Sequence, residues 1–193
     1  MLRPDLLCCP NVPKPLHGIN PRTILGVKWW DYKRREAYHK ANYCCCACGV
    51  SKQEADYKQW LEGHEYYDLD YVNGTAVLKE IVALCYSCHS FIHSGRLYVM
   101  YRQGKISLQT ITNILVSRLD IIKENGLIPF YGTVQIASDL NVYNNQQLKE
   151  WYKIGEENGP KSVAEWSKWK LVIEGKEYKG KFNSLTEWEE FYG

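Results

Sequence analysis

Cys85-Tyr86-Ser87-Cys88-His89-Ser90-Phe91-Ile92-His93 packs two thiols and two imidazoles into nine residues. On a helix His89 and His93, four apart, stand on one face, where two rings can share an ion. Upstream, Cys45 and Cys48 repeat the C-x-x-C spacing, and His64 lies between the pairs in Leu61-Glu62-Gly63-His64-Glu65. The residues sort into a four-cysteine set, Cys45, Cys48, Cys85 and Cys88, and a three-histidine set, His64, His89 and His93.

Two C-x-x-C knuckles brought together by a fold supply the four thiolates that tetrahedral zinc favours. Cys44 and Cys46 flank Cys45 and either substitutes for it by a register shift, but only Cys45 keeps the usual spacing to Cys48. The expected role of this Zn2+ is structural, contributing folding energy. The histidines make a site of neutral nitrogen donors with open positions, suited to a divalent cation such as Mg2+, Mn2+, Ni2+ or Zn2+ that stabilises the leaving oxygen of a phosphodiester. Cys8 and Cys9 have no such spacing and stay unassigned.

The chain has 193 residues with 15 Tyr and 7 Trp, enough to bury a real core and too apolar for wholesale disorder. Eight cysteines raise the question of disulfides. The stretch from Met1 to Leu7 is too short for a secretory signal, and Pro4, Pro10, Pro13 and Pro15 break up the N-terminal residues. No run reaches the length of a membrane span. The expectation is therefore a cytoplasmic protein with no membrane partner, in which paired C-x-x-C spacing means metal.

Charge is unevenly placed. Residues 1–43 carry eight basic against three acidic residues, whereas residues 44–106 carry six against seven and the remainder ten against twelve. The excess centres on Lys28, Lys33, Arg34, Arg35 and Lys40, interleaved with Trp29, Trp30, Tyr32 and Tyr38. Such a segment suits phosphate binding, and equally an amphipathic helix with its basic face solvated.

Pattern predicts an extended Pro- and Gly-rich arm over 1–24, a helix over Trp29–Lys40, a strand over Tyr57–Tyr66 carrying His64, a turn at Asn73-Gly74 and a returning strand over Val77–Leu84. Cys85 then opens a short helix that Gly95 stops. Leu97–Met100 and Lys105–Leu108 suggest a hairpin. The clearest helix covers Ser107–Asn125, where Leu108, Ile111, Leu115, Leu119 and Ile122 recur every three or four residues. Gln146–Tyr152 reads as helix, Trp169–Ile173 and Tyr178–Phe182 as a hairpin around Gly175, and Ser184-Leu185-Thr186-Glu187 as a capping box.

The order strand, loop, strand, helix over residues 44–96, with Cys45-x-x-Cys48, Leu61-Glu62-Gly63-His64-Glu65 and Ala83-Leu84-Cys85-Tyr86-Ser87-Cys88-His89 through His93, resembles the HNH nuclease superfamily. The resemblance implies a zinc-stabilised ββα-metal core, assigned to 44–101; in the α+β chain expected around it, the residue pattern gives a basic aromatic arm and helix over 1–43 and helical and β-hairpin extensions over 102–193. It implies a metal-dependent endonuclease cleaving DNA, with His64, Glu65 and His89 as catalytic residues. Members of the superfamily commonly carry His-His or Asp-His where this chain reads Gly63-His64-Glu65. Either His64 is the base and the ligand before it is missing, or His64 is the ligand and Glu65 takes the base position. The second assignment completes the three-histidine set. The orienting asparagine of the family has one counterpart between His64 and Cys85, Asn73. The alternatives are a module that kept zinc, lost cleavage and binds nucleic acid or a protein, and a regulator presenting Trp166, Trp169, Trp188 and Tyr192 to a protein partner.

Overall fold

A computed structural model describes residues 2–159 and 162–192. Among them are eight α-helices and a four-stranded sheet, a mixed α+β arrangement. The sheet runs in the order β1-β2-β3-β4, with β1 Leu61–Asp70, β2 Thr75–Cys85, β3 Lys170–Ile173 and β4 Lys176–Lys179. The chain divides into two compact units. The first gathers Met1–Asn11, Tyr38–His64 and Ala83–Gly159; the second gathers Val12–Ala37, Glu65–Val82 and Pro160–Gly193.

In the first unit, β2 leads directly into α3 (Tyr86–Ile92), with Cys85 as its N-cap residue. His93 ends α3 and caps α4 (Ser94–Arg102). The hairpin expected at 97–108 is thus a helix and its exit turn. Leu97 is 1% exposed and α4 packs on the helices Leu108–Glu124 and Tyr131–Asp139, so tertiary burial overrides the strand preference of Val99 and Tyr101. The long helix is α5 (Leu108–Glu124), whose N-cap Ser107 Oγ accepts from Thr110 N at 3.1 Å. Its buried stripe is Ile111, Ile114, Leu115, Arg118, Leu119 and Ile122, whereas Leu108 is exposed. Two further helices come next, α6 (Tyr131–Asp139), which pattern missed, and α7 (Asn145–Asn158).

The N-terminal segment is not an extended arm. Pro4–Cys8 and Lys14–Leu16 form 3-10 turns and Pro21–Leu25 forms α1, each with proline at its start where the missing N–H costs nothing. Leu6 and Leu7 are buried in the first unit, and Leu16 in the second. The second unit is built on a core of Leu16, Ala76, Trp169, Leu171 and Ile173. Here β2 pairs in parallel with β3 through Ala76↔Leu171, and β3 pairs antiparallel with β4. The β3–β4 turn uses Glu174 and Gly175, both at positive φ (49° and 77°), the conformation a two-residue hairpin requires. The basic helix is α2 (Val27–Lys40) and the last helix α8 (Leu185–Tyr192), with Ser184 Oγ accepting from Glu187 N.

Candidate metal centre

The first knuckle is held by its backbone. Gly49 N donates to Cys45 O and Cys45 N to Val50 O, both at 2.8 Å, closing a tight turn around the thiols. Gly49 sits at φ +78°, and a Cβ there would come within 2.9 Å of Leu2 Cδ2. Cys46 N donates to Ala83 O at 2.8 Å, tying this knuckle to the end of β2, where the second knuckle begins.

Cys45, Cys48, Cys85 and Cys88 present their sulfurs within 4.8 Å of one another. Cys48 Sγ and Cys85 Sγ are 3.8 Å apart. A tetrahedral ion with zinc–sulfur bonds of about 2.3 Å needs sulfur–sulfur edges of about 3.8 Å, so the set fits one zinc ion. Register is also settled among the three adjacent cysteines: Cys45 joins the group, whereas Cys44 Sγ points to Asn42 O at 3.5 Å and Cys46 lies outside it. Cys8 and Cys9, whose thiols burial pushes up to about 12 and about 11, are not among the grouped sulfurs.

Sequence reasoning missed Arg118. It projects from the apolar stripe of α5, 8% exposed, with Nε 3.3 Å from Cys88 Sγ, Nη2 3.7 Å from Cys85 Sγ and Nη1 donating to Ser117 Oγ at 2.8 Å. Burial opposes its charge, but the Cys88 and Cys85 sulfurs outweigh that and hold the guanidinium protonated. A charged residue within a stripe of Leu115, Leu119 and Ile122 was the signal in the sequence, since a buried arginine requires an anionic partner.

The histidines converge as a second group in the same unit. Ring centroids are 5.4 Å apart for His64–His89, 5.2 Å for His64–His93 and 4.7 Å for His89–His93, and one nitrogen of each ring lies within 4.8 Å of the others. His64, on β1, is 5% exposed and its Nδ1 has no hydrogen-bond partner among the described residues. A buried imidazole with an orphaned nitrogen, grouped with two further imidazoles, is an arrangement a shared cation satisfies. Burial, then repulsion from His93 and His89, holds His64 well below the ordinary histidine range, and burial with His89 and Arg96 lowers His93 to about 4. Both rings are therefore neutral donors near pH 7.

Glu62 is the second residue sequence reasoning missed. Its Oε2 lies 2.5 Å from His89 Nδ1 and its Oε1 accepts from Trp60 Nε1 at 3.3 Å. Burial raises the Glu62 carboxyl, but the His89 bond and charge more than offset it, leaving the group lowered and ionised. A carboxylate on Nδ1 fixes the tautomer and presents Nε2 to a cation. Strand alternation carried the signal, because residues 62 and 64 share a face. By the same alternation Glu65 turns to the other face, and it is not among the grouped residues. Asn73 also stands apart, bonding Asp70 Oδ2 at 2.6 Å within the β1–β2 turn.

No helix among the described residues is long and apolar enough to cross a membrane. No protein-family model matches the chain, and comparisons with curated proteins and with solved structures find no match either.

Proposed function

We propose that this chain is a metal-dependent endonuclease of the HNH type, built on a ββα-metal core and acting on DNA. The observation that supports the reading most is the meeting of His64 from β1, whose buried Nδ1 has no partner among the described residues, with His89 and His93 from the α3 segment. A divalent cation such as Mg2+, Mn2+, Ni2+ or Zn2+ held there supplies charge stabilisation for the oxygen that leaves phosphorus. The chain's own part is positional. Glu62 holds the His89 ring through Nδ1, the low proton affinities of His64 and His93 keep them ready as donors, and the cysteine set fixes the start of α3, which carries His89 and ends at His93. In hydrolysis a water oxygen bonds phosphorus, its proton passes to a base, and one ester oxygen departs. Lys28, Arg35 and Lys40, exposed on α2 beside the exposed ring of Tyr32, suit a phosphate backbone. A cytoplasmic location belongs to the same reading.

One observation favours a second reading, a module that binds nucleic acid without cutting it. Glu65, which the resemblance puts at the base position, stands outside the histidine group, and both oxygens of Glu62 are already engaged. Plasmid incubated with zinc-loaded protein and added Mg2+, Mn2+ or Ni2+ separates the two. Nicking that disappears in His89→Ala supports the nuclease; DNA binding without nicking under any ion supports the module.

A further inference from the structure

Beside the histidine centre lies a feature that neither metal set uses. Lys58 Nζ stands 4.8 Å from the centre of the Trp60 ring and 4.5 Å from that of Tyr86, and Tyr57 packs against Tyr86 with centroids 5.9 Å apart. Trp60 and Tyr57 are 46% and 49% exposed, large rings left at the surface. The cluster is joined to the centre, since Trp60 Nε1 donates to the same Glu62 that holds His89.

Next to Tyr57 opens a cavity of about 570 Å³ lined by Asp56, Ser87, Thr112, Asn113 and Asp120 among others. Ser87 is 2% exposed and its hydroxyl has no hydrogen-bond partner among the described residues. A buried hydroxyl on a cavity wall with nothing to bond is suited to pair with a ligand's polar group. Asp56 and Asp120 on the cavity wall can accept from exocyclic amines; Arg118 also lines the cavity, but its guanidinium is engaged by the Cys88 and Cys85 sulfurs, and Lys58, over the Tyr86 ring, attracts phosphate.

We infer that the exposed Tyr57 and Trp60 rings, together with the Ser87 cavity that Tyr57 also lines, take an unpaired nucleobase, so the substrate is single-stranded or locally unpaired DNA. This rests on the nuclease reading for its substrate and deepens it. Paired bases are stacked within the duplex and cannot reach a pocket; an unpaired one offers a ring face to Tyr57 and Trp60 and a hydrogen-bonding edge to Ser87, with its phosphate left at Lys58 and the histidines.

The test measures fluorescence anisotropy of a short fluorescein-labelled DNA strand and of its blunt duplex, using zinc-loaded full-length protein with no Mg2+, Mn2+ or Ni2+ added. The strand is expected to bind roughly tenfold tighter than the duplex, and Trp60→Ala to lose roughly tenfold on the strand with little change on the duplex, about the size of one base stack. Ser87→Ala, which removes only a hydroxyl, is expected to weaken the strand several-fold. Equal affinity for strand and duplex, or an equal loss on both in Trp60→Ala, overturns the inference; an unchanged Ser87→Ala removes the cavity as the seat of the base. A single-strand preference in a protein that cuts neither plasmid nor the labelled strand with Mg2+, Mn2+ or Ni2+ added would leave this inference standing and end the nuclease reading; cleavage by a protein with no single-strand preference would do the reverse.

Discussion

Arg118 donates to the sulfur of Cys88 across 3.3 Å, and a second arm of the same guanidinium reaches Cys85. Four thiolates around one dication carry two negative charges, and a buried cation against two of the sulfurs halves the excess. Arg118 lies 30 residues beyond Cys88 in sequence, so α5 completes the electrostatics of the knuckles.

Arg118→Met, which keeps bulk and removes charge, is expected to weaken zinc retention by roughly 10- to 100-fold, the usual effect of losing a partner behind a metal ligand. Chelator competition measures it. Arg118→Lys should recover part of the loss, since a point charge remains but the two-armed geometry does not. Zinc affinity unchanged in the Met variant would show that the contact has no electrostatic role.

Zinc removal should unfold the first unit. Cys85→Ser breaks both the sulfur set and the link from β2 to α3, so circular dichroism is expected to show lost helix and metal analysis to show no tightly bound zinc. Cys8→Ser, outside the set, should retain its zinc; loss there would point to a different ligand set.

Glu62→Gln and Glu65→Gln distinguish the two carboxylates near His64. The first is expected to lower affinity for the second cation by roughly 10-fold or more through the His89 ring, with zinc and fold kept. The second should leave that affinity within a few-fold. Isothermal titration with Mn2+ reads both, and the reverse ranking would place the working carboxylate on the other face of β1.

Acid should destabilise the protein lacking its second cation. His64 and His93 are held below the ordinary value near 6.5, His93 at about 4, while the unfolded chain regains that ordinary value. As pH falls from about 6.5 towards about 4, the unfolded state binds protons that the folded state refuses, so stability is present above this window and lost through it. Urea midpoints are expected to drop between pH 7 and pH 5 for the natural sequence and to drop less for His93→Gln. A flat profile would show that the rings titrate alike in both states.

The strand–strand–helix order, the helix over 107–125 and the grouping of the four cysteines and of the three histidines were legible because they rest on local signals: period-2 and period-3.6 patterns, Asn-Gly turns and the spacing of Cys and His. Glu62 and Arg118 were not read, since each depends on a partner 27 or 30 residues away. The parallel pairing of β2 with β3 was equally hidden, because Thr75 and Lys170 meet across nearly the whole C-terminal half. The hairpin expected at 97–108 failed for the opposite reason. Val99 and Tyr101 favour strands by themselves, but buried Ser94 and Leu97 commit the segment to a helical face.

The chain passes between its two units five times, so neither is a contiguous stretch. During synthesis the first unit cannot close until residue 159 has emerged, long after its cysteines are exposed to the cell, and the second must wait for strands that come last. A single protease nick therefore cannot free either half as one piece, because each is stitched together from three separated segments of chain.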